Sequence, residues 1–149
     1  DALNGFGPAY TRALTEAVIA RLGVVSQGFE ADAALVNAAF RAMAAGGEAL
    51  RWEPLFFDWF GGGDVRAMAG VRGELYGGED FAPFRQAIAA YGADRPERLE
   101  AAYFAKPEPQ EMLVDEVEAI WAPIAERDDW SAFEAKLSGI DEARLAYGL

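Results

Sequence analysis

The stretch Arg51-Trp52-Glu53-Pro54-Leu55-Phe56-Phe57-Asp58-Trp59-Phe60, followed by Gly61-Gly62-Gly63, decides how this chain folds. Half of the ten residues before the glycines are aromatic, and aromatic density alone would suit a strand. The punctuation argues otherwise. Pro54 has the fixed φ of a first helical turn, and glycines end helices. The stretch therefore predicts a short buried helix. Large aromatics dominate core burial, so Trp52, Phe56, Phe57, Trp59 and Phe60 are first of all core residues. A ligand pocket or a docking patch is the functional alternative.

The segments on either side also read as helices. Asn4-Gly5-Phe6-Gly7-Pro8 predicts a loop ending in a proline suited to a helix start. After it, Tyr10, Leu14, Val18 and Leu22 recur every four residues, with Gly23 as the stop. Asp32 is placed to N-cap a second helix carrying Leu35, Val36, Ala39, Phe40 and Met43, ended by Gly46-Gly47. Asp64–Gly78 predicts one short helix and then a loop. Asp80 is placed to cap Phe81–Tyr91, and Asp94-Arg95-Pro96 opens a helix with Leu99, Ala102 and Tyr103 on its apolar side.

Lys106-Pro107-Glu108-Pro109 predicts an extended connector, because a residue before proline is driven out of the helical region. It is the expected joint of an otherwise single helical domain over 1–149, near 105–110. The longest helix is expected over Glu111–Glu126, with Met112, Leu113, Val117, Ile120, Trp121 and Ile124 as its stripe and a kink or stop at Pro123. Asp128, Asp129 or Ser131 caps the next helix, which Ser138-Gly139 breaks before a last short one over Asp141–Tyr147. The expected fold is all-α, an irregular array of about seven to nine helices.

Composition narrows the chemistry. The 149 residues contain no histidine and no cysteine, which removes the commonest acid–base group at neutral pH and the most reactive nucleophile. Disulfides are impossible, and a cytoplasmic location is expected. The net charge is −12, which repels nucleic acid and anionic membranes, so neither is an expected partner. A basic protein partner would suit such a surface. The first residue is Asp1 rather than Met, so the chain is expected to be a piece of a longer product.

Few residues offer a reaction. Glu111, Asp115 and Glu118 are spaced to share one helical face and could hold Mg²⁺ or Ca²⁺. A solvated face opposite the apolar stripe explains them as well. Asp128-Asp129 reads as a pair of cation ligands or as a helix start. Gly61-Gly62-Gly63-Asp64 lacks the Lys-Ser/Thr of a phosphate loop. Ser26, Ser131 and Ser138 have no histidine to activate them. No catalytic, cofactor-binding or metal-binding residue is therefore assigned.

Three stretches resemble the selenoprotein O (SelO) family. They are Phe6-Gly7-Pro8-Ala9-Tyr10 through Arg21-Leu22-Gly23-Val24, Asp32 through Met43 with Phe56-Phe57-Asp58-Trp59-Phe60, and Glu118-Ala119-Ile120 through Asp128-Asp129-Trp130 and Leu137. The resemblance covers the C-terminal helical part of that family. It implies a parent protein with a kinase-like (pseudokinase) fold that transfers AMP from ATP to protein hydroxyls, using a divalent metal. The ATP- and metal-binding residues of the family lie upstream of the part resembled, so none maps here. Asp58 stands where the family tends to have Arg, and the redox-active Cys or selenocysteine of some members is missing. The resemblance implies a non-catalytic C-terminal domain whose partner is the upstream kinase-like domain of the same protein. A stand-alone acidic helical interaction module is the alternative, and a carboxylate-based enzyme or metal site a third reading.

Overall fold

The computed structural model describes residues 2–149, with side chains described from residue 5 onward. Eight α-helices follow one another: α1 (Ala2–Leu22), α2 (Phe29–Gly46), α3 (Trp52–Asp58), α4 (Asp64–Ala69), α5 (Gly73–Gly77), α6 (Ala82–Ile88), α7 (Val114–Arg127) and α8 (Ser131–Tyr147). Short 3-10 turns occupy Gly47–Ala49, Glu79–Phe81, Pro96–Glu100 and Ala102–Ala105. Among the described residues there is no strand, only a single antiparallel bridge between Val24 and Ala93. The fold is an all-α, irregular array. None of its described helices is long and apolar enough to cross a membrane.

The aromatic run forms α3, and its side chains divide between two hydrophobic clusters. Leu55 and Trp59 enter the larger one, with Val18, Ile19 and Leu22 of α1, Leu35, Val36 and Ala39 of α2, and Tyr76, Phe81, Phe84 and Ile88 beyond. Trp59 is fully buried and meets Tyr76 and Phe84 edge to face, with ring centroids at 5.5 and 5.1 Å. Phe57 and Phe60 enter the smaller cluster, with Tyr103, Phe104, Ala143, Ala146 and Tyr147. There Phe60 stacks on Phe104 at 4.6 Å. One short helix thus supplies residues to both clusters.

Asp58, buried in the same run, must be compensated. Arg72 donates from Nε and Nη2 to its two oxygens at 2.6 and 3.2 Å, and the Tyr76 hydroxyl donates at 2.6 Å. Burial would by itself weaken Arg72's charge, but its hydrogen bonds to Asp58 and Glu108 hold its pKa above the ordinary arginine value.

Several expectations are corrected. α1 runs through Pro8 instead of starting there, in an exposed stretch of the helix, at the cost of one missing donor and crowding against the preceding turn. Asp32 is not an N-cap. α2 begins three residues earlier, and the Asp32 carboxylate instead accepts from Ser26 Oγ (2.5 Å), the Gln27 amide (3.0 Å) and the Tyr91 hydroxyl (3.0 Å). A second short helix, α5, forms in the glycine-rich segment, where Tyr76 and Arg72 reach for Asp58. α6 stops at Ile88 rather than Tyr91, and Asp80 makes no capping bond. The segment after Pro96 forms two 3-10 turns instead of an α-helix. α7 begins at Val114, has 14 residues and is shorter than α1, α2 and α8. It continues past Pro123 for one more turn and ends on Asp128 in the left-handed region. α8 is continuous through Ser138-Gly139. A Cβ on Gly139 would lie 2.9 Å from the Gln110 side chain, so that glycine makes room for the connector rather than breaking the helix.

The turn after α3 uses Gly62 at φ 78°, where an added Cβ would approach the Tyr91 carbonyl at 3.0 Å and Val24 at 3.1 Å. Gly62→Ala should therefore destabilise the fold by about 1–3 kcal/mol. Gly63→Ala, at φ −77° with open space around it, should change stability by less than about 1 kcal/mol. Equal melting temperatures for the two variants would contradict this account of the turn.

The Asp32 carboxyl carries a pH dependence. Burial would raise its pKa, but the bonds from Ser26, Gln27 and Tyr91 outweigh burial and hold it below the ordinary value. Such a group adds stability that is complete above its unfolded pKa and lost as pH falls through the folded one. Asp32→Asn should cost about 1–3 kcal/mol at neutral pH and flatten the decline in Tm below about pH 4. Melting curves collected across that acid range provide the check, and an unaltered slope would count against this role.

Candidate functional site

The C-terminal hairpin of α7 and α8 begins with a connector that the structure pins at several points. Residues 106–113 are non-helical, as the two prolines dictate, and Leu113 is extended at φ −86°, ψ 152°. The Gln110 amide donates to the Tyr103 hydroxyl at 2.9 Å. Arg51 Nε donates to Glu111 at 2.8 Å, and Arg72 Nη1 to Glu108 at 2.7 Å. Lys106 pairs with Glu142 of α8.

Lys136 is the clasp between the two helices. Its side chain is almost wholly buried, and its Nζ donates to Glu116 Oε1 of α7 at 2.6 Å and to the Glu111 carbonyl. Beyond the helices, Asp128 accepts from the Trp130 indole at 2.8 Å, and Asp129 accepts from the Ser131 amide at 3.1 Å. The N-cap position of α8 is Trp130, which makes no side-chain cap, so none of Asp128, Asp129 and Ser131 is the N-cap; Asp129, just ahead of it, satisfies the first amide of the helix.

These positions dissolve the expected acidic face. Glu111 lies ahead of α7 and is tied to Arg51, while Asp115 and Glu118 are exposed on the helix itself. Among the described residues no group of three acidic side chains is arranged to hold a metal ion. Gly61 and Gly62 form the turn out of α3. Ser26 serves Asp32, and Ser131 serves Asp129.

What sequence reasoning missed is the setting of α7. Val117, Ile120, Trp121 and Ile124 of the expected stripe lie on α7, Met112 and Leu113 precede it, and α7 fully buries no residue. Val114 is 76% exposed, Trp121 61% and Val117 44%, while Ile120 and Ile124 are half-covered. α8 adds exposed Phe133 and Leu137, and Trp130 between the helices packs edge to face on Phe133 at 5.7 Å. The stripe runs back through Leu113 into an open groove of about 550 Å³, whose walls include Met112, Leu113, Ile140, Ala143, Tyr147 and Leu149.

Arg21 and Glu53 close that groove. Arg21 Nη2 pairs with Glu53 at 2.5 Å, and its guanidinium lies 3.8 Å from the Tyr147 ring centroid. Burial pushes the Tyr147 hydroxyl well above the usual tyrosine range, so it stays neutral. The arrangement can bind an apolar surface, but it offers no activated nucleophile. The fold and this face define a helical domain with an open apolar surface. No protein-family model matches the chain, nor does any curated protein or solved structure.

If Lys136 is the clasp, Lys136→Ala should speed amide exchange across residues 114–127 by about tenfold or more, the equivalent of one charged hydrogen bond. The amides of α2 should hardly change. Exchange by mass spectrometry tests this, and unchanged protection in α7 would show that the clasp contributes nothing.

Proposed function

We propose that this chain is a non-catalytic helical domain that works by docking on another protein through α7 and α8. The observation that supports it is α7 itself. A helix of 14 residues with an apolar stripe fully buries none of its side chains, while α3, half as long, buries Pro54, Leu55, Phe57 and Asp58. An isolated amphipathic helix gains its stability from a covered face. The absence of histidine and cysteine fits a part that performs no chemistry.

The resemblance to selenoprotein O supplies a partner for this reading, the kinase-like domain upstream in the same polypeptide. ATP and a divalent metal would then be bound by that domain, and AMP transfer would be the work of the whole protein. Helix patterns support this finer assignment. The acidic net charge favours the second reading, a free-standing interaction module that uses the same face.

Hydroxyl-radical footprinting of Trp121 distinguishes the two. In the polypeptide extended upstream of residue 1, Trp121 should be oxidised at least about fivefold more slowly than in this chain, a difference of about 1 kcal/mol or more in protection. Equal oxidation in both would exclude docking on an upstream domain.

A further inference from the structure

We infer that the α7–α8 face is built for a basic amphipathic helix of a protein partner, an inference that rests on the docking reading above. The apolar part of the face says only that something covers it; the charge around it selects the occupant. Residues 107–149 carry 11 acidic and 3 basic side chains. All three basic ones are engaged within the hairpin: Lys136 with Glu116, Arg127 with Glu126 and Asp129, and Arg144 with Asp141.

Asp115, Glu118 and Glu134 are exposed, and among the described residues none has a cation within 4.0 Å. By helical periodicity Glu118 lies beside Trp121 and Val114 on α7, and Glu134 lies beside Leu137 on α8. Each apolar stripe is thus flanked by carboxylates that have no counter-charge of their own.

A second copy of this chain would bring the same excess against itself. Like charges at close range are unfavourable, and in binding they act as an excluding element. An anionic bilayer is repelled in the same way. A helix with Leu-type side chains at i, i+3, i+4 and i+7 and Lys or Arg beside them meets both halves of the surface. α7 is 14 residues long, which at the α-helical rise is about 21 Å, so about four turns of partner match it.

The experiment uses this chain and three synthetic peptides of about five turns. The first has a Leu stripe flanked by Lys, the second the same stripe flanked by Glu, and the third the composition of the first with the stripe scrambled. Titration calorimetry at physiological ionic strength should show binding of the first peptide only. Val117→Asp combined with Leu137→Asp, both at exposed positions, should weaken it by about tenfold or more. Glu118→Lys with Glu134→Lys should weaken the first peptide and admit the second.

Equal binding of the Lys- and Glu-flanked peptides would overturn the charge assignment and leave the docking face standing. Equal binding of the scrambled peptide, or indifference to Val117→Asp with Leu137→Asp, would overturn the face as well. A concentration-dependent dimer in sedimentation that Val117→Asp abolishes would make the occupant a second copy and refute the proposal. Far-UV circular dichroism of each variant, unchanged, excludes loss of fold as the cause.

Discussion

The structure depends on α3 serving two cores at once. Leu55 and Trp59 belong to one cluster, Phe57 and Phe60 to the other, and all four come from six consecutive residues. The same run carries Asp58, buried among them, and a buried carboxylate stripped of a partner costs about 3–5 kcal/mol. Arg72 and Tyr76 therefore have to come to it. That requirement explains why Gly73–Gly77 is helical in spite of its glycines: the turn from Arg72 to Tyr76 sets both donors on one carboxylate. Arg72 also reaches Glu108, so the connector toward the last two helices hangs from the same ion pair. The smaller cluster then closes with the far end of α8, where Tyr147 packs on Phe60 at 5.2 Å and beneath Arg21.

The turn end of the hairpin takes no part in this closure. α8 gives Ala143, Ala146 and Tyr147 to the smaller cluster, whereas Phe133 and Leu137 stay exposed and α7 gives nothing. The two clusters are thus complete without α7, which is held by Lys136, the connector and the half-covered side chains of Ile120, Pro123 and Ile124. Each large side chain left in water forgoes about 1.5–3 kcal/mol of burial. A partner that covers Val117, Trp121 and Leu137 can draw on that difference without disturbing the two clusters. Folding and docking are separated along the chain, with the aromatic run serving the first and the acidic hairpin the second.

Much of this was readable in the residues. Pro54 and the glycines after Phe60 mark α3, and Gly23 and Gly46 mark the ends of α1 and α2, because these signals act locally. The apolar spacing of α7 was equally plain, but periodicity reports that a helix has an apolar side and not what lies against it. The pairing of Asp58 with Arg72 and of Arg51 with Glu111 joins residues 14 and 60 positions apart, beyond the reach of any local pattern. Ser138-Gly139 looked like a break for the same reason, since the Gln110 side chain that fills the space beside Gly139 comes from another segment. Asp32 reads locally as an N-cap, which it is not, because the partner that fixes its role, Tyr91, stands 59 positions away.

Fluorine NMR of the chain labelled with 5-fluorotryptophan tests the central claim most directly, because the four tryptophans report on every layer. Trp59 is fully buried, Trp52 half-covered, and Trp121 and Trp130 exposed. The resonances of Trp121 and Trp130 should shift when H₂O is replaced by D₂O, while that of Trp59 should not. A Trp121 resonance as insensitive to solvent as that of Trp59 would mean that α7 is packed within the chain and that no open face exists.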